Sequence, residues 1–355
     1  MDAHRIIKGI KRKLYCYSLF YPKKEDNAVK WAVIGLGNMA EVFASALDAD
    51  ADSKIVAVAS RSLEKAKAFA SRHGKGRAYG SYEDMLTDAS LQIDLVYVAT
   101  PAKYHAKHIE MCLEAGKNVL CEKPITMTSE QLLPLMIKAK DKGLFLMEGM
   151  WMKCLPTFKK ATEWVKQGLI GNLELVKADF YKREIVNPEL SIFNAAEGGG
   201  LMHDYGVYAI AFASTFLADY PDIIRFHKRE SSFNIDSDWM VYAEKDGRKA
   251  IVNMSSNFNG LSKAALIGSN GLIEFEAQFN RTNKIVLYDK YGTPQDSYSV
   301  KYKNDGFEYE IAEVNHCIKE GKNYSELVPL QQSLDTCRII DYLLQSEKQN
   351  DGIKR

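Results

Sequence analysis

The stretch Trp31-Ala-Val-Ile-Gly-Leu-Gly-Asn-Met-Ala40 decides the fold of this chain. Its first four residues are apolar and predict a buried strand. The glycine spacing GxGxxA follows, in which Gly35 permits a tight turn, Gly37 lets the backbone approach a pyrophosphate and the small Ala40 lets a helix pack on the strand. A tight turn without a ligand is the alternative. The predicted cofactor contacts in this turn are Gly35, Leu36, Gly37, Asn38 and Met39.

Strand and helix signals alternate after this turn, which is typical of a parallel sheet flanked by helices. Ser60 or Ser62 is the predicted N-cap of the first of these helices, and Gly116 suits the C′ position of the next. The short connections predict a Rossmann-type domain over residues 31–150. Its further predicted elements are strands at 55–59, 95–99 and 118–121 and helices at 62–73 and 103–115.

The end of the second predicted strand indicates the cofactor. NAD-specific proteins usually have an Asp or Glu there to bind the ribose 2′-hydroxyl. This chain has Ser60 and Arg61 instead. A guanidinium pairs with a phosphate and stacks on adenine, so NADP is favoured, with NAD as the alternative. Arg61 as a solvated surface residue is the other interpretation.

A lysine stands at the end of the strand predicted at 118–121. In Val119-Leu-Cys-Glu-Lys-Pro124, Lys123 lies at the carboxyl end of a strand, where open α/β sheets bind their ligands. Its ammonium is predicted to stabilise the alkoxide that develops during hydride transfer, with a pKa depressed by burial beside a positive nicotinamide. The bond between Lys123 and Pro124 is a candidate for a cis peptide. A surface lysine in a turn is the alternative.

These motifs, in their order and spacing, resemble the Gfo/Idh/MocA oxidoreductases, a family that includes glucose–fructose oxidoreductase and inositol dehydrogenase. The resemblance covers about nine tenths of the chain. It implies a Rossmann domain followed by an α/β domain with an open, mainly antiparallel sheet, and an active site between them. The further motifs that carry it are Ala99-Thr-Pro101 with His105, Glu122-Lys-Pro124, Glu148-Gly-Met-Trp151, Gly198-Gly-Gly-Leu-Met-His-Asp-Tyr-Gly-Val-Tyr208 and Val328-Pro-Leu-Gln-Gln-Ser333.

The sequence after Met150 changes from alternating signals to a run of short strands, which marks a change of domain. The domain boundaries are therefore expected at 1–30 for an N-terminal extension, 31–150 for the Rossmann domain and 151–355 for a substrate and oligomerisation domain. The expected strands are 173–181, 239–243, 250–255, 264–268, 272–277 and 284–289, and the closing helices are 307–321 and 331–346.

The resemblance assigns the remaining catalytic residues. Tyr208 stands where many relatives have His, and in the glucose–fructose oxidoreductase and dihydrodiol dehydrogenase branch this tyrosine is the proposed acid and base. A nearby Lys123 is expected to lower its pKa. Asp204, four residues earlier, is expected to share its face of a helix and to orient substrate hydroxyls or Lys123. A core tyrosine and a simple helix cap are the alternatives, and Gly198 to Gly200 are expected to form a flexible entry.

Other residues of the motifs have weaker assignments. Thr100, Pro101 and Glu122 are predicted cofactor contacts. His105 is predicted either to contact the cofactor or substrate or to be a helix-surface histidine, and His203 is expected to stay outside the site. Three further residues are expected to line the pocket, namely Trp151, Arg183 and Asn187.

Composition excludes several other classes. The six cysteines include no CxxC pair and the seven histidines form no ligand cluster, so no metal site is expected. A formal net charge of +1 gives no reason to expect nucleic-acid binding. No apolar run approaches the roughly 20 residues of a membrane span. Scattered cysteines without a secretory signal favour a cytoplasmic protein.

Residues 1–30 fall outside the family motifs. Basic residues such as Lys8 and Arg12 are interleaved with apolar ones at helical spacing. Packing on its own domain or a neighbouring subunit, weak association with an anionic membrane surface and a frayed extension are the alternatives. A homodimer or homotetramer is expected through the open face of the second sheet, because an apolar face exposed to water is costly.

Two functions follow from these observations. The first is an NAD(P)-dependent oxidoreductase acting on a sugar, a nucleotide-linked sugar, a cyclitol or a dihydrodiol. The alternative is a dinucleotide-sensing regulatory protein of the same fold. Relatives with such a role have lost the catalytic lysine. The presence of Lys123, Asp204 and Tyr208 favours the enzyme.

Overall fold

The computed structural model describes residues 27–74, 76–183, 193–194, 198–231 and 235–346. Six parallel strands form the first sheet, in the spatial order β3-β2-β1-β4-β5-β6. Its strands are β1 (Val29–Ile34), β2 (Ser53–Ala59), β3 (Arg77–Tyr79), β4 (Leu95–Val98), β5 (Asn118–Glu122) and β6 (Leu146–Gly149).

The two connecting helices predicted at 62–73 and 103–115 lie within two residues of those bounds. Ser62 caps its helix by accepting a hydrogen bond from the backbone N–H of Lys65, so the second of the two predicted N-caps is confirmed. Gly116 follows a helix end with φ +69°, as predicted for C′. The helices are α1 (Asn38–Ala49), α2 (Leu63–Arg72), α3 (Tyr82–Thr87), α4 (His105–Glu114) and α5 (Ser129–Lys142).

An eight-stranded sheet follows α6 (Pro156–Lys166). It has the order β14-β13-β12-β11-β7-β10-β9-β8 and is antiparallel except for the parallel pair β7 and β10. The expected mainly antiparallel sheet is confirmed. Its strands are β7 (Leu173–Tyr181), β8 (Ile223–Glu230), β9 (Asp236–Lys245), β10 (Arg248–Ser255), β11 (Ala264–Gly268), β12 (Gly271–Phe275), β13 (Lys284–Asp289) and β14 (Pro294–Ser299).

One face of this sheet packs on helix α7 (Val207–Leu217), which is apolar on nearly all sides and almost fully buried. The side chains that alternate to the opposite face are mixed in character. Leu175, Ile251 and the 61% exposed Met240 lie on it with the charged Lys177 and Asp179. The face expected to be apolar is therefore only partly so.

The last two helices, α8 (Phe307–Lys319) and α9 (Leu330–Gln345), return the chain to the first sheet. Helix α8 packs against α1 and β1, and the Trp31 indole donates a hydrogen bond of 3.1 Å to Asn315 on it. Helix α9 packs against α5, β6 and α7. The hydrophobic core is consequently continuous between the two sheets.

No described helix has the length and apolar character needed to cross a membrane. The basic segment predicted near the amino terminus lies outside the described residues.

Candidate active site

The turn after β1 has the geometry that a pyrophosphate needs. Gly35 has φ +82°, and a Cβ there would lie 2.3 Å from the backbone nitrogen of Thr100, so only glycine fits. A Cβ on Gly37 would meet no atom within 4 Å, and Gly37 is the N-cap of α1 without a side chain to bond its first N–H groups. An open helix N-terminus of this kind suits an anionic phosphate. The residues of this turn therefore fit a dinucleotide.

The predicted cofactor residues of this turn differ in how far their side chains are buried. Leu36 is buried and packs in the core, whereas Asn38 and Met39 are exposed at the start of α1. Only the exposed pair offers side chains to a ligand.

Arg61 is exposed at the end of β2, immediately before the N-cap of α2. Burial raises the pKa of Tyr82, and the positive charge of Arg61 opposes that rise, so the guanidinium lies within electrostatic range of the phenol. Burial also lowers the pKa of His108 to about 4, and Arg61 contributes to that shift. Ser60 is buried, and its hydroxyl accepts a hydrogen bond of 3.4 Å from the backbone of Ser62.

His105 connects two turns of the site. Its ring is buried, with Nε2 2.7 Å from the carbonyl oxygen of Thr100 and Nδ1 2.8 Å from that of Pro124. The helix-surface alternative is therefore wrong. Because both ring nitrogens contact backbone carbonyls, the histidine joins the Thr100 and Pro124 turns, and the Thr100 hydroxyl is similarly paired with His108 at 2.9 Å.

Lys123 follows β5 and precedes a cis peptide bond to Pro124, which confirms the predicted isomer. The backbone N–H of Lys123 donates to the Glu122 carboxylate at 3.2 Å, and the Tyr97 hydroxyl donates to the other oxygen of that carboxylate. The Lys123 ammonium donates to the Asp204 carboxylate at 3.1 Å and to the Asp204 carbonyl at 2.5 Å. Glu122, a predicted cofactor contact, thus holds the lysine turn.

Asp204 lies on a single π-helical turn, Met202–Gly206, that continues into α7. The glycines before it are not simply a flexible entry. Gly200 has φ +126°, and a Cβ there would lie 2.1 Å from a carboxylate oxygen of Asp236. Asp236 in turn accepts a hydrogen bond of 2.7 Å from the backbone of Met202. Glycine is required at this position because the backbone packs against the partly buried carboxylate of Asp236.

Tyr208 comes together with Lys123, as the spacing from Asp204 predicts. The Lys123 ammonium lies 5.0 Å from the centroid of its ring, and its hydroxyl accepts a hydrogen bond of 3.0 Å from the Trp151 indole. Trp151, a predicted pocket residue, stacks on Phe307 at 4.8 Å. The Tyr208 ring is also parallel to Phe180 at 6.4 Å. The phenol is therefore oriented from two sides.

The electrostatics of this group bear on the pKa values predicted for Tyr208 and Lys123. Burial raises the pKa of Tyr208 to about 12, and Lys123 and Trp151 offset that rise only in part. Burial lowers the pKa of Lys123, but the nearby Asp204, Tyr208 and Glu122 outweigh it and raise the pKa above its ordinary value. Lys123 thus acts on the pKa of Tyr208 in the predicted direction, but burial outweighs it, so the expected net shift toward neutral pH is wrong. The lower pKa of Lys123 beside a positive nicotinamide stays a prediction, because in the protein alone the carboxylates around the ammonium raise that pKa.

Other predicted residues lie apart from this group. Arg183 is exposed, and its backbone N–H donates to the Asn259 side chain at 2.9 Å. Asn187 lies outside the described residues. The buried Nε2 of His203 has no hydrogen-bond partner among the described residues. The described part of the chain also contains no group of side chains suited to a metal ion.

Sequence reasoning missed Tyr97, Phe180 and the partners of Glu148 as residues that support this site. A tyrosine inside the otherwise aliphatic strand β4 was a usable signal, since a buried phenol usually has a hydrogen-bond partner. Phe180 and the contacts of Glu148 had no signal, because they depend on how distant elements pack.

Two family models match the chain. Residues 29–150 match the model described as "Oxidoreductase family, NAD-binding Rossmann fold", and residues 158–274 match the "GFO/IDH/MocA C-terminal domain". Together they identify a nicotinamide-dependent class of oxidoreductase. The chain belongs to the Gfo/Idh/MocA oxidoreductase family, which confirms the predicted family, fold class and cofactor class.

Curated relatives align with almost the whole length of this chain. A trans-1,2-dihydrobenzene-1,2-diol dehydrogenase of Xenopus tropicalis is 30% identical over 331 residues, covering 90% of this chain and 98% of the relative. The human protein of that name is 28% identical over 314 residues, covering 86% and 93%.

Solved structures share the architecture. A 3-ketoreductase from Actinomadura kijaniata, KijD10, in complex with NADP and TDP-benzene, has a TM-score of 0.76 and 25% identity, covering 89% of this chain and 97% of that one. An aldose-aldose oxidoreductase from Caulobacter crescentus has a TM-score of 0.78 at 22% identity, covering 90% and 97%, and supports the fold alone.

Proposed function

We propose that this protein is an NADP-dependent oxidoreductase that transfers hydride to or from a carbinol or carbonyl carbon of a polyhydroxylated substrate. The observation that carries the proposal is the meeting of the Lys123 ammonium, the Asp204 carboxylate and the Tyr208 phenol. This group is joined to the dinucleotide turn through His105, which contacts both Thr100 and Pro124, while Gly35 packs on Thr100.

A bound nicotinamide cofactor supplies or accepts the hydride, and the protein handles the substrate oxygen and its proton. An ammonium has three N–H donors. Asp204 accepts from Lys123 with two oxygens, which leaves a donor of Lys123 for the substrate oxygen. A positive charge at that oxygen stabilises negative charge that develops in the transition state.

Tyr208 is the proposed proton donor and acceptor. Its oxygen accepts from Trp151, so its own proton is available to a substrate. A phenol with a pKa near 12 is protonated at neutral pH and favours the donor role, which corresponds to carbonyl reduction. Asp204 keeps Lys123 charged and directs its ammonium toward the tyrosine.

NADP preference rests on Arg61. The end of β2 carries no carboxylate to bind a ribose 2′-hydroxyl, and an exposed guanidinium stands there instead. A 2′-phosphate beside Arg61 would form charge-assisted hydrogen bonds. Asn38, Met39 and Ser60 complete the proposed cofactor contacts around the two turns.

The proposed substrates are a sugar, a nucleotide-linked sugar, a cyclitol or a dihydrodiol. The relatives named for trans-1,2-dihydrobenzene-1,2-diol support the diol most directly, because they align with nine tenths of the chain. A homodimer or homotetramer through the open face of the second sheet, and a cytoplasmic location, complete the proposal. The exposed Met240 on that face supports the oligomer. The free thiols of the five described cysteines support the cytoplasmic location.

The test begins with titration of the purified protein with NADPH and NADH by fluorescence, after a check for cofactor retained on purification. A screen of trans-1,2-dihydrobenzene-1,2-diol, aldoses, nucleotide-linked sugars and cyclitols follows, read as absorbance of the reduced nicotinamide. Selective binding of NADPH together with turnover supports the enzyme. Binding without turnover of any substrate would instead support the dinucleotide-sensing regulatory protein.

A further inference from the structure

Glu148 is a buried carboxylate at the end of β6 that takes no part in the Lys123, Asp204 and Tyr208 group. It is 2% exposed. One of its oxygens accepts a hydrogen bond of 3.1 Å from the backbone N–H of Ile125, and the other accepts one of 2.7 Å from the Ser333 hydroxyl. Ile125 is two residues beyond Lys123, so this carboxylate binds the same turn that carries the lysine.

Glu122 has the matching arrangement on the other side of Pro124. One of its oxygens accepts from the backbone N–H of Lys123, and the other accepts from the Tyr97 hydroxyl. Proline has no N–H. The two amide groups that flank it are therefore each held by a buried carboxylate, whose second oxygen is held by a hydroxyl.

The Ser333 end of this arrangement belongs to helix α9, which comes from far along the chain. The preceding residue, Gln332, accepts a hydrogen bond of 2.8 Å from the buried ammonium of Lys153. Further along α9, Asp341 accepts from both the backbone and the hydroxyl of Ser129, at 2.8 and 2.6 Å. The same helix packs on α7, which carries Tyr208. Helix α9 thus contacts the supports of both Lys123 and Tyr208.

We propose that Glu148, held by Ser333, is a positioning residue for Lys123. This inference rests on the proposed function, because it assumes that the Lys123 ammonium acts on the substrate oxygen. The hydrogen bond to Ile125 fixes the backbone from which the lysine side chain extends toward Asp204. Displacement of a reacting group by about 1 Å is enough to cost up to about a hundredfold in rate.

The test uses Ser333→Ala, with Thr336→Ala as its matched control. Thr336 is a buried hydroxyl on the same helix that donates within α9, to the carbonyl of Gln332, and does not contact Glu148. Ser333→Ala is expected to lower kcat about tenfold while leaving KM for substrate and the Kd for NADPH within about twofold. Thr336→Ala is expected to retain the wild-type kcat, although it should lower the Tm by about as much as Ser333→Ala does.

Glu148 itself is tested with a conservative and a disruptive variant. Glu148→Gln keeps an oxygen for the Ile125 N–H and is expected to keep at least about a third of kcat, whereas Glu148→Ala loses both bonds and is expected to lose about a hundredfold. If Glu148→Ala does not fold, Ser333→Ala and Glu148→Gln still decide the matter. Equal kcat in Ser333→Ala and wild type would overturn the proposal, as would a kcat loss shared by Thr336→Ala.

A readout without substrate separates this proposal from the proposed function. Acylation of Lys123 by an amine-reactive ester, followed by mass spectrometry of the cofactor-free protein, reports how firmly the ammonium is held by Asp204. Labelling of Lys123 is expected to be several-fold faster in Ser333→Ala than in Thr336→Ala, because the lysine is then held less firmly against Asp204. Unchanged labelling would overturn the positioning role. An unimpaired Lys123→Ala variant would instead overturn the proposed function.

Discussion

The Lys123 ammonium lies 3.1 Å from the Asp204 carboxylate, although the two residues are 81 positions apart in the chain. Lys123 directly follows a strand of the parallel sheet, and Asp204 lies on the π-helical turn before the helix that covers the second sheet. The side chains of Lys123 and Asp204 are 14% and 35% exposed, respectively. The pair therefore joins the dinucleotide-binding half of the molecule to the half that supplies Tyr208.

Replacement of Asp204 by Asn tests whether this carboxylate keeps Lys123 charged. The amide still accepts a hydrogen bond but removes the negative charge, so the pKa of Lys123 is expected to fall. We expect kcat to drop about tenfold and to decline further at alkaline pH, where the wild type does not. The measurement is the pH dependence of kcat for both proteins, and identical profiles would contradict the role of Asp204.

Tyr208→Phe tests the proposed proton donor. Loss of a general acid typically costs about a hundredfold or more, so kcat is expected to fall by that factor with NADPH affinity nearly unchanged. Trp151→Phe is the control, because it removes the indole donor but keeps an aromatic ring against Phe307; a smaller loss is expected. Comparable rates for Tyr208→Phe and wild type would assign the proton to another group.

The pKa of Tyr208, raised to about 12, sets an expectation for pH dependence. The phenol remains protonated across the ordinary range, so carbonyl reduction with NADPH should show no loss from its deprotonation between about pH 6 and 9. A decline in that range that disappears in Tyr208→Phe would show that the phenol titrates there.

Arg61→Ala tests cofactor selection. We expect the Kd for NADPH to rise by about tenfold or more and the Kd for NADH to change by less than about threefold, since only NADPH has a 2′-phosphate. Lys65→Ala removes another exposed cation of α2 and serves as the control for general charge. Equal weakening of both cofactors in Arg61→Ala would contradict the assignment.

His73 gives an expectation for stability. Its ring nitrogens lie 2.9 Å from Asp48 and 2.9 Å from Glu41. Burial lowers the pKa of His73, but these carboxylates outweigh it and raise the pKa overall. A raised pKa in the folded state stabilises the protein below the unfolded value of about 6.5, and this stabilisation is lost as pH rises through the folded value.

His73→Gln should therefore reduce the free energy of unfolding by about 2 kcal/mol at pH 6 and by less at pH 9. Urea unfolding of both proteins at the two pH values measures this difference. A loss that is equal or greater at pH 9 would show that the charged ring does not stabilise the fold.

Much of the first sheet follows from the sequence alone. The GxGxxA turn, the aliphatic strands and the capping residues Ser62 and Gly116 are local signals, and the structure has them at the predicted positions. Several edge or short strands were not predicted, because their sequences lack apolar alternation. Ile223–Glu230 is rich in charged residues and Pro294–Ser299 is almost wholly exposed.

The candidate site shows the same division. Motif residues identified Lys123, Asp204 and Tyr208, and their proximity follows from the spacing and the resemblance. The net direction of the pKa shifts of Lys123 and Tyr208 does not follow from the sequence, because it depends on burial and on the number of carboxylates around each group. The contact of Ser333 with Glu148, 185 positions away in the chain, likewise depends on how α9 returns to the first sheet.

The roles of Lys123 and Tyr208 in hydride transfer are tested most directly by following a deuterium label from C4 of NADPH to the product, using the best carbonyl substrate from the screen. We expect deuterium on the new carbinol carbon with the wild type, and at least about a hundredfold slower transfer with Lys123→Ala and Tyr208→Phe. Label transfer by both variants at the wild-type rate would contradict the central claim that these two side chains handle the substrate oxygen and its proton.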